Sequence, residues 1–128
     1  MKFRRILTLL SAMAVTGLWG WPAQAQNRGD EVLLEMQQAF RKNDAKRLSA
    51  LLPQARGHVL EPLAAYWDMR TRLDTAPASE IRSFLNTYAG SYYEDRLRND
   101  WLQQLGKRRD WATFTAEYPR FRMRDDRE

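Results

Sequence analysis

This sequence predicts an all-α chain of short stacked helical hairpins forming part of a solenoid-like α-superhelix. Three observations predict it. No run of β-branched residues alternates with polar ones, so strand signals are missing. Apolar residues recur at spacings of three and four in six successive segments. The connections between segments are about two to six residues long, which suits antiparallel neighbours.

Residues 1–25 predict a cleaved export signal. Lys2, Arg4 and Arg5 precede an uncharged, largely apolar run from Ile6 to about Trp21. Ala23-Gln24-Ala25 then places small residues at −3 and −1, so the expected cut lies between Ala25 and Gln26. The apolar run is short for a bilayer span of about 20 residues, and no transmembrane segment is expected after cleavage. With no cysteine in the chain, neither lipid attachment after the apolar run nor a disulfide is expected.

Residues 26–128 predict one helical domain with a charged tail from about 120. The first helix is expected from Asp30 to about Lys42, with Leu33, Met36 and Phe40 on one face. Asp44 caps a second helix through about Leu52, whose apolar side is Leu48, Leu51 and Leu52. Pro53 and Gly57 mark a turn. A third helix, about Val59 to Leu73, carries Leu60, Leu63, Ala64 and Trp67 on one face, with Tyr66, Met69 and Leu73 beside it and Pro62 tolerated in the first turn. Pro77 and Ser79 open a fourth, in which Ile81, Phe84, Leu85 and Tyr88 follow the amphipathic spacing up to Gly90. Ser91 and Glu94 have capping-box spacing for a fifth helix to about Leu105, and Gly106 is expected as its left-handed end. Asp110 caps a sixth, bearing Trp111, Phe114 and Tyr118, closed by Pro119.

Charge excludes less than it first suggests. The net charge of +5 includes three positives in the export signal, which leaves +2 for the remaining 103 residues. A domain of this size buries roughly 65% of its unfolded surface, an adequate core with little reserve. Aromatics interleaved with Arg120, Arg122 and Arg124 can bind single strands. Trp101, Trp111, Phe114 and Tyr118 sit at helical core spacing instead, so no nucleic-acid partner is expected. Lys107-Arg108-Arg109 suits a helix C-terminus, where positive charge offsets the carbonyl end of the dipole.

No catalytic, cofactor-binding or metal-binding residue is expected. His58 is the lone histidine, and Ser49, Ser79, Ser83 and Ser91 lie in no G-x-S-x-G turn. One His and scattered carboxylates do not make a metal set, and the glycines are too dispersed to cradle a phosphate. Glycoside cleavage would need a raised-pKa acid, commonly opposite a second carboxylate. Glu61, Asp68, Glu94, Asp95, Asp125 and Asp126 are the candidates. Glu61 and Glu94 occupy ordinary helix-start posts, Asp95 is expected in a surface pair with Arg98 or Asn99, and Asp125-Asp126 belongs to the tail. His58 is expected on the surface at a helix start.

Residues 96–119, RLRNDWLQQLGKRRDWATFTAEYP, together with HVLEPLAAYWDMRTRL (58–73) and EIRSFLNTYAGSYYEDRLRNDWL (80–102), resemble the N-terminal superhelical region of soluble lytic murein transglycosylases. The resemblance covers about 60 residues. It implies a periplasmic protein of peptidoglycan turnover, with peptidoglycan and other cell-wall proteins as partners. The family cleaves its glycan with one glutamate of a Glu-Ser motif in a separate lysozyme-like domain. No Glu-Ser pair occurs here, so no catalytic residue carries over. The expectation is an exported fragment or truncated homologue, a scaffold inactive by itself. The alternative is a free-standing periplasmic adaptor that binds a protein or peptide. In either case Trp101 and Trp111 are expected to pack across a turn at Gly106, with the arginines in solvent or facing a ring interior.

Overall fold

The computed structural model describes residues 21–123, with side chains from residue 27 onward. Most of the expected export signal, together with Arg124, Asp125 and Asp126, lies outside the described residues. Those described form six α-helices and no strand: α1 Trp21–Arg41, α2 Ala45–Leu51, α3 Glu61–Thr71, α4 Ala78–Thr87, α5 Tyr92–Arg108 and α6 Trp111–Glu117. Short 3-10 segments follow α2 at Leu52–Ala55 and α6 at Tyr118–Arg120.

Helix α1 starts nine residues before the predicted Asp30. Ala23 to Arg28 contains good helix formers, and Pro22 falls at the second helical position, where its missing N–H costs no helical bond. The cut expected after Ala25 falls inside this helix. At its other end Asn43 takes a left-handed conformation, φ 55°. Asp44 N–H donates to Ala39 O and Asn43 N–H to Phe40 O, the paired bonds of a Schellman ending. Asp44 then caps α2, its carboxylate accepting from Arg47 N at 3.0 Å. Pro53 in the 3-10 segment and Gly57 at φ +81° turn the chain toward α3.

Helix α3 touches α1, α2, α4, α5 and the 3-10 segment between them. This central position shifts burial from the expected Leu60–Leu63–Trp67 face toward the residues beside it. Ala64, Ala65, Asp68 and Met69 are buried, while Leu60 is exposed and Leu63 and Trp67 are half-buried. A helix covered on two sides needs small residues at its contacts, so its apolar pattern spreads around the axis. One cluster lies between α1, α2 and α3 around Met36, Leu48 and Ala64. The other lies between α3, α4 and α5 around Leu73, Ile81, Leu97 and Trp101.

Helix α4 begins after Pro77 and buries Ile81, Phe84 and Leu85, as its spacing predicts. Gly90 at φ +82° makes the turn into α5. Only half of the expected capping box forms. Ser91 Oγ accepts from Glu94 N at 3.2 Å, but Ser91 N–H donates to Tyr88 O. Glu94 turns its carboxylate to Arg122 instead.

Helix α5 does not end at Gly106. It continues to Arg108, and Arg109 takes the left-handed position at φ 59°. Its bonds repeat the end of α1: Asp110 N–H to Leu105 O and Arg109 N–H to Gly106 O. Asp110 then caps α6, accepting from Thr113 N at 3.2 Å, and Pro119 lies in the closing 3-10 segment. A left-handed residue, an aspartate cap, a seven-residue helix and a proline-bearing 3-10 turn therefore occur twice, sixty-six residues apart.

Candidate functional site

Among the described residues, each carboxylate considered for an acid pair is already held by hydrogen bonds or ion pairs. Asp68 is buried between α2, α3 and α4; Ser49 Oγ donates to one of its oxygens at 2.7 Å and Arg72 Nε to the other at 3.0 Å. Arg72 also pairs with Glu80. Burial alone would lower the Arg72 pKa, but its bonds to Glu80 and Asp68 raise it overall. Glu61 accepts from Gly57 N at 2.8 Å and so braces the turn before α3. Glu61 and Asp68 share a cleft with Ser49, Arg56, Arg72 and Tyr88. They stand two turns apart on one helix, about 10 Å along its axis. Burial, and then the nearby Glu61 charge, raise the Tyr88 pKa. Polar and apolar groups line the cleft about equally, and both Asp68 oxygens are already bonded.

His58 is not on the surface, because its ring is wedged against α1. Nε2 lies 2.6 Å from Asp30 Oδ1, and Nδ1 accepts from Leu60 N at 3.0 Å. With Nδ1 an acceptor, Nε2 carries the proton and donates to Asp30. The ring side chain is 10% exposed. It borders a hollow that also contains Arg28 and Arg56. Ser49 bonds Asp68 and Ser91 caps α5, so neither bonds His58. Among the described residues no three His, Asp or Glu side chains converge as a metal site, and no helix is long and apolar enough to cross a membrane.

The expected surface pair at Asp95 is instead a buried clamp. Asp95 is 3% exposed and accepts from the backbone N–H of Arg122 and of Met123, the latter at 2.7 Å. Arg98, expected in solvent or a ring interior, is also 3% exposed. It sits 3.7 Å from both Glu94 and Glu117. Arg82 reaches Glu117 at 3.3 Å and lies 5.7 Å above the Trp101 ring. Arg98 Nε and Glu117 Oε2 face each other without a hydrogen bond. Apolar periodicity does not register such a group. The only hint in the sequence is the charge spacing of Glu94, Arg98 and Arg122. The segment expected to start a free charged tail near 120 is thus tied to α5 as far as Met123.

The two tryptophans divide. Trp101 is 3% exposed beneath Arg82 and against α3 and α4, but Trp111 is 56% exposed. The expected packing of one on the other across Gly106 does not occur. Helix α5 runs past Gly106, so Trp111 follows the chain onto α6 and stands in a groove between α5 and α6. There Leu102, Gly106, Trp111, Phe114, Tyr118 and Phe121 line an open, mainly apolar groove of about 380 Å³, with Asn99 and Gln103 on its wall. Trp111 stands edge-on to Phe114 at 5.7 Å, and Phe114 stacks on Tyr118 at 5.6 Å. No carboxylate lines this groove. It suits binding rather than proton transfer, and it is the strongest candidate site among the described residues.

Comparison with known proteins returns nothing: no family model matches the chain, no curated protein matches it, and no solved structure matches it.

Proposed function

We propose that this chain is a non-catalytic helical scaffold, a short solenoid of three hairpins serving peptidoglycan turnover in the periplasm. The observation that carries the scaffold part is the apolar α5–α6 groove, a binding surface with no carboxylate in it. The stacking supports the solenoid part. Helix α3 covers α1 and α2, and α5 covers α3 and α4, so each hairpin leans on the one before. The cell-wall part rests on the resemblance of residues 58–73, 80–102 and 96–119 to the superhelical region of soluble lytic murein transglycosylases.

The test mixes the purified full chain with murein sacculi, alongside an active transglycosylase. The chain is expected to co-sediment with the sacculi and release no soluble muropeptides. Release abolished by Glu61→Gln or Asp68→Asn would overturn the non-catalytic reading.

A second reading, a free-standing adaptor for a protein or peptide, is favoured by the Asp95 clamp. It fastens residues 122–123 onto α5. Failure to sediment with sacculi, together with a cooperative thermal melt, selects that reading over the cell-wall one.

A further inference from the structure

The repeat separated by sixty-six residues explains what the α5–α6 groove is shaped to receive. Its lining residues Leu102, Gly106, Trp111, Phe114, Tyr118 and Phe121 correspond in order to Met36, Phe40, Ala45, Leu48, Leu52 and Ala55. Five of those six, all but Ala45, belong to or pack against the cluster on which α3 rests, with Ala64 and Trp67 as the α3 contribution. The first hairpin's groove is therefore filled by a helix, and the same backbone construction at α5–α6 leaves its groove open.

The occupants of the filled seats have a common character. Helix α3 brings Trp67 onto Phe40, ring centroids 5.9 Å apart and nearly parallel, with Asp68 beside it. Helix α5 brings Trp101 into the α3–α4 seat, with Asp100 beside it bonded to Tyr66 at 2.7 Å. At the third seat Gly106 replaces Phe40, and a Cβ built there meets nothing within 4 Å. This leaves a notch where an incoming ring has no aromatic to rest on and can sink deeper. In the chain next to the lining residues Gly106, Trp111 and Phe121, the side chains of Lys107, Arg109 and Arg120 are exposed, and Asp110 is the one exposed acid among them.

From these observations we infer that the α5–α6 groove seats an amphipathic helix of a partner polypeptide. That helix places a large aromatic side chain in the Gly106 notch and carboxylates against Lys107, Arg109 and Arg120. A second copy of this chain is a poorer occupant, because the two helices that fill its own seats, α3 with Trp67 and α5 with Trp101, are already in place, and its exposed Trp111 belongs to the groove itself. The inference rests on the scaffold reading and specifies what that scaffold holds.

The probe is an acetylated, amidated peptide with the sequence of residues 58–73 carrying R70E and R72E, which keeps Trp67 and makes its flank acidic. It is titrated into the full chain while backbone and indole N–H resonances are followed. Shifts confined to α5, α6 and the Trp111 indole are expected, weakening as salt rises. Trp67→Ala in the peptide should weaken binding at least about tenfold, as removal of a buried aromatic anchor does. Gly106→Leu in the protein should do the same, provided that its melt matches the parent. The unaltered 58–73 peptide should bind more weakly than the acidic one.

Absence of binding, equal binding of the Trp67→Ala peptide, or shifts at the α1–α3 contact that report displacement of α3 would each overturn the proposal. So would a dimer that Gly106→Leu dissolves, since the occupant would then be a second copy. Muropeptide release would sink the scaffold reading and leave a positive titration standing. A negative titration sinks the seat and leaves the scaffold reading standing.

Discussion

The hairpins α1–α2 and α5–α6 share a backbone construction and differ in what lies over them. In the first, Leu48 and Leu51 are 0% and 4% exposed because α3 covers them. In the second, the matching positions hold Phe114, half-buried, and Glu117, buried only because Arg82 and Arg98 reach it. Leu52 corresponds to Tyr118, which is 43% exposed. The local signals, a residue that tolerates positive φ, an aspartate cap and a proline two turns on, shape the hairpin whether or not anything covers it. Burial of its side chains is decided by the next element. The two tryptophans test this most severely. Trp101→Ala should cost about 3–5 kcal/mol, the range for deleting a buried indole. Trp111→Ala should stay within about 0.5 kcal/mol, as exposed positions do. Comparable losses in urea denaturation of the two variants would mean that the groove is closed in solution.

The polar bridges that lock each filled seat also differ, and alkali separates them. At the first seat Asp68 takes a serine hydroxyl and an arginine; at the second Asp100 takes the Tyr66 hydroxyl and Arg70 at 3.2 Å. Burial, followed by the bond to Asp100, pushes the Tyr66 pKa up to about 12. A neutral phenol favoured in the folded state contributes its stability in full below the unfolded tyrosine pKa of about 10. That contribution is lost as pH rises through about 12. Thermal melts should therefore drop between these pH values, and Tyr66→Phe should flatten part of the drop. An unchanged slope in Tyr66→Phe would remove the phenol from the α3–α5 contact.

Caps are where the two hairpins should respond alike. Asp44→Ala and Asp110→Ala should each lower the denaturation midpoint by a similar amount, since each leaves the first turn of a seven-residue helix with an unbonded N–H. A large inequality would break the equivalence of the two hairpins. This is also the level at which the sequence was most legible. Asp44, Ser91 and Asp110 each mark a helix start within one residue, because capping is a short-range hydrogen bond readable from a few letters, and Pro77 marks the start of α4 with no side-chain cap bond. The end of α5 was misread at Gly106 because glycine is permitted inside a helix at a cost near 1 kcal/mol. The left-handed residue three positions later is an arginine, a type that carries no such signal. The two-sided burial of α3 and the Asp95–Arg98–Glu117 cluster depend on contacts between distant segments, which no single helical period encodes. The open groove was misread as a Trp101–Trp111 contact for the same reason: which side of α5 each ring faces depends on where that helix stops.

The smallest expected effect is a difference of sign between two glycines inside helices. Replacing a helical glycine by alanine gains about 0.5–1 kcal/mol through lower chain entropy, provided the methyl group finds room. At Gly106 a Cβ meets nothing within 4 Å, so Gly106→Ala should stabilise the protein by that amount. At Gly29 the added Cβ would lie 2.9 Å from His58 Cδ2. That ring cannot simply swing aside, because Asp30 holds Nε2 and Leu60 N–H holds Nδ1. Gly29→Ala should therefore fail to stabilise and should lower the denaturation midpoint. In a His58→Ala background the obstruction is gone, and the same change should then be stabilising, as at Gly106. If Gly29→Ala were stabilising with His58 present, the ring would be free to move, and the α1 contact that holds the first hairpin against the start of α3 would be looser than the wedged geometry requires.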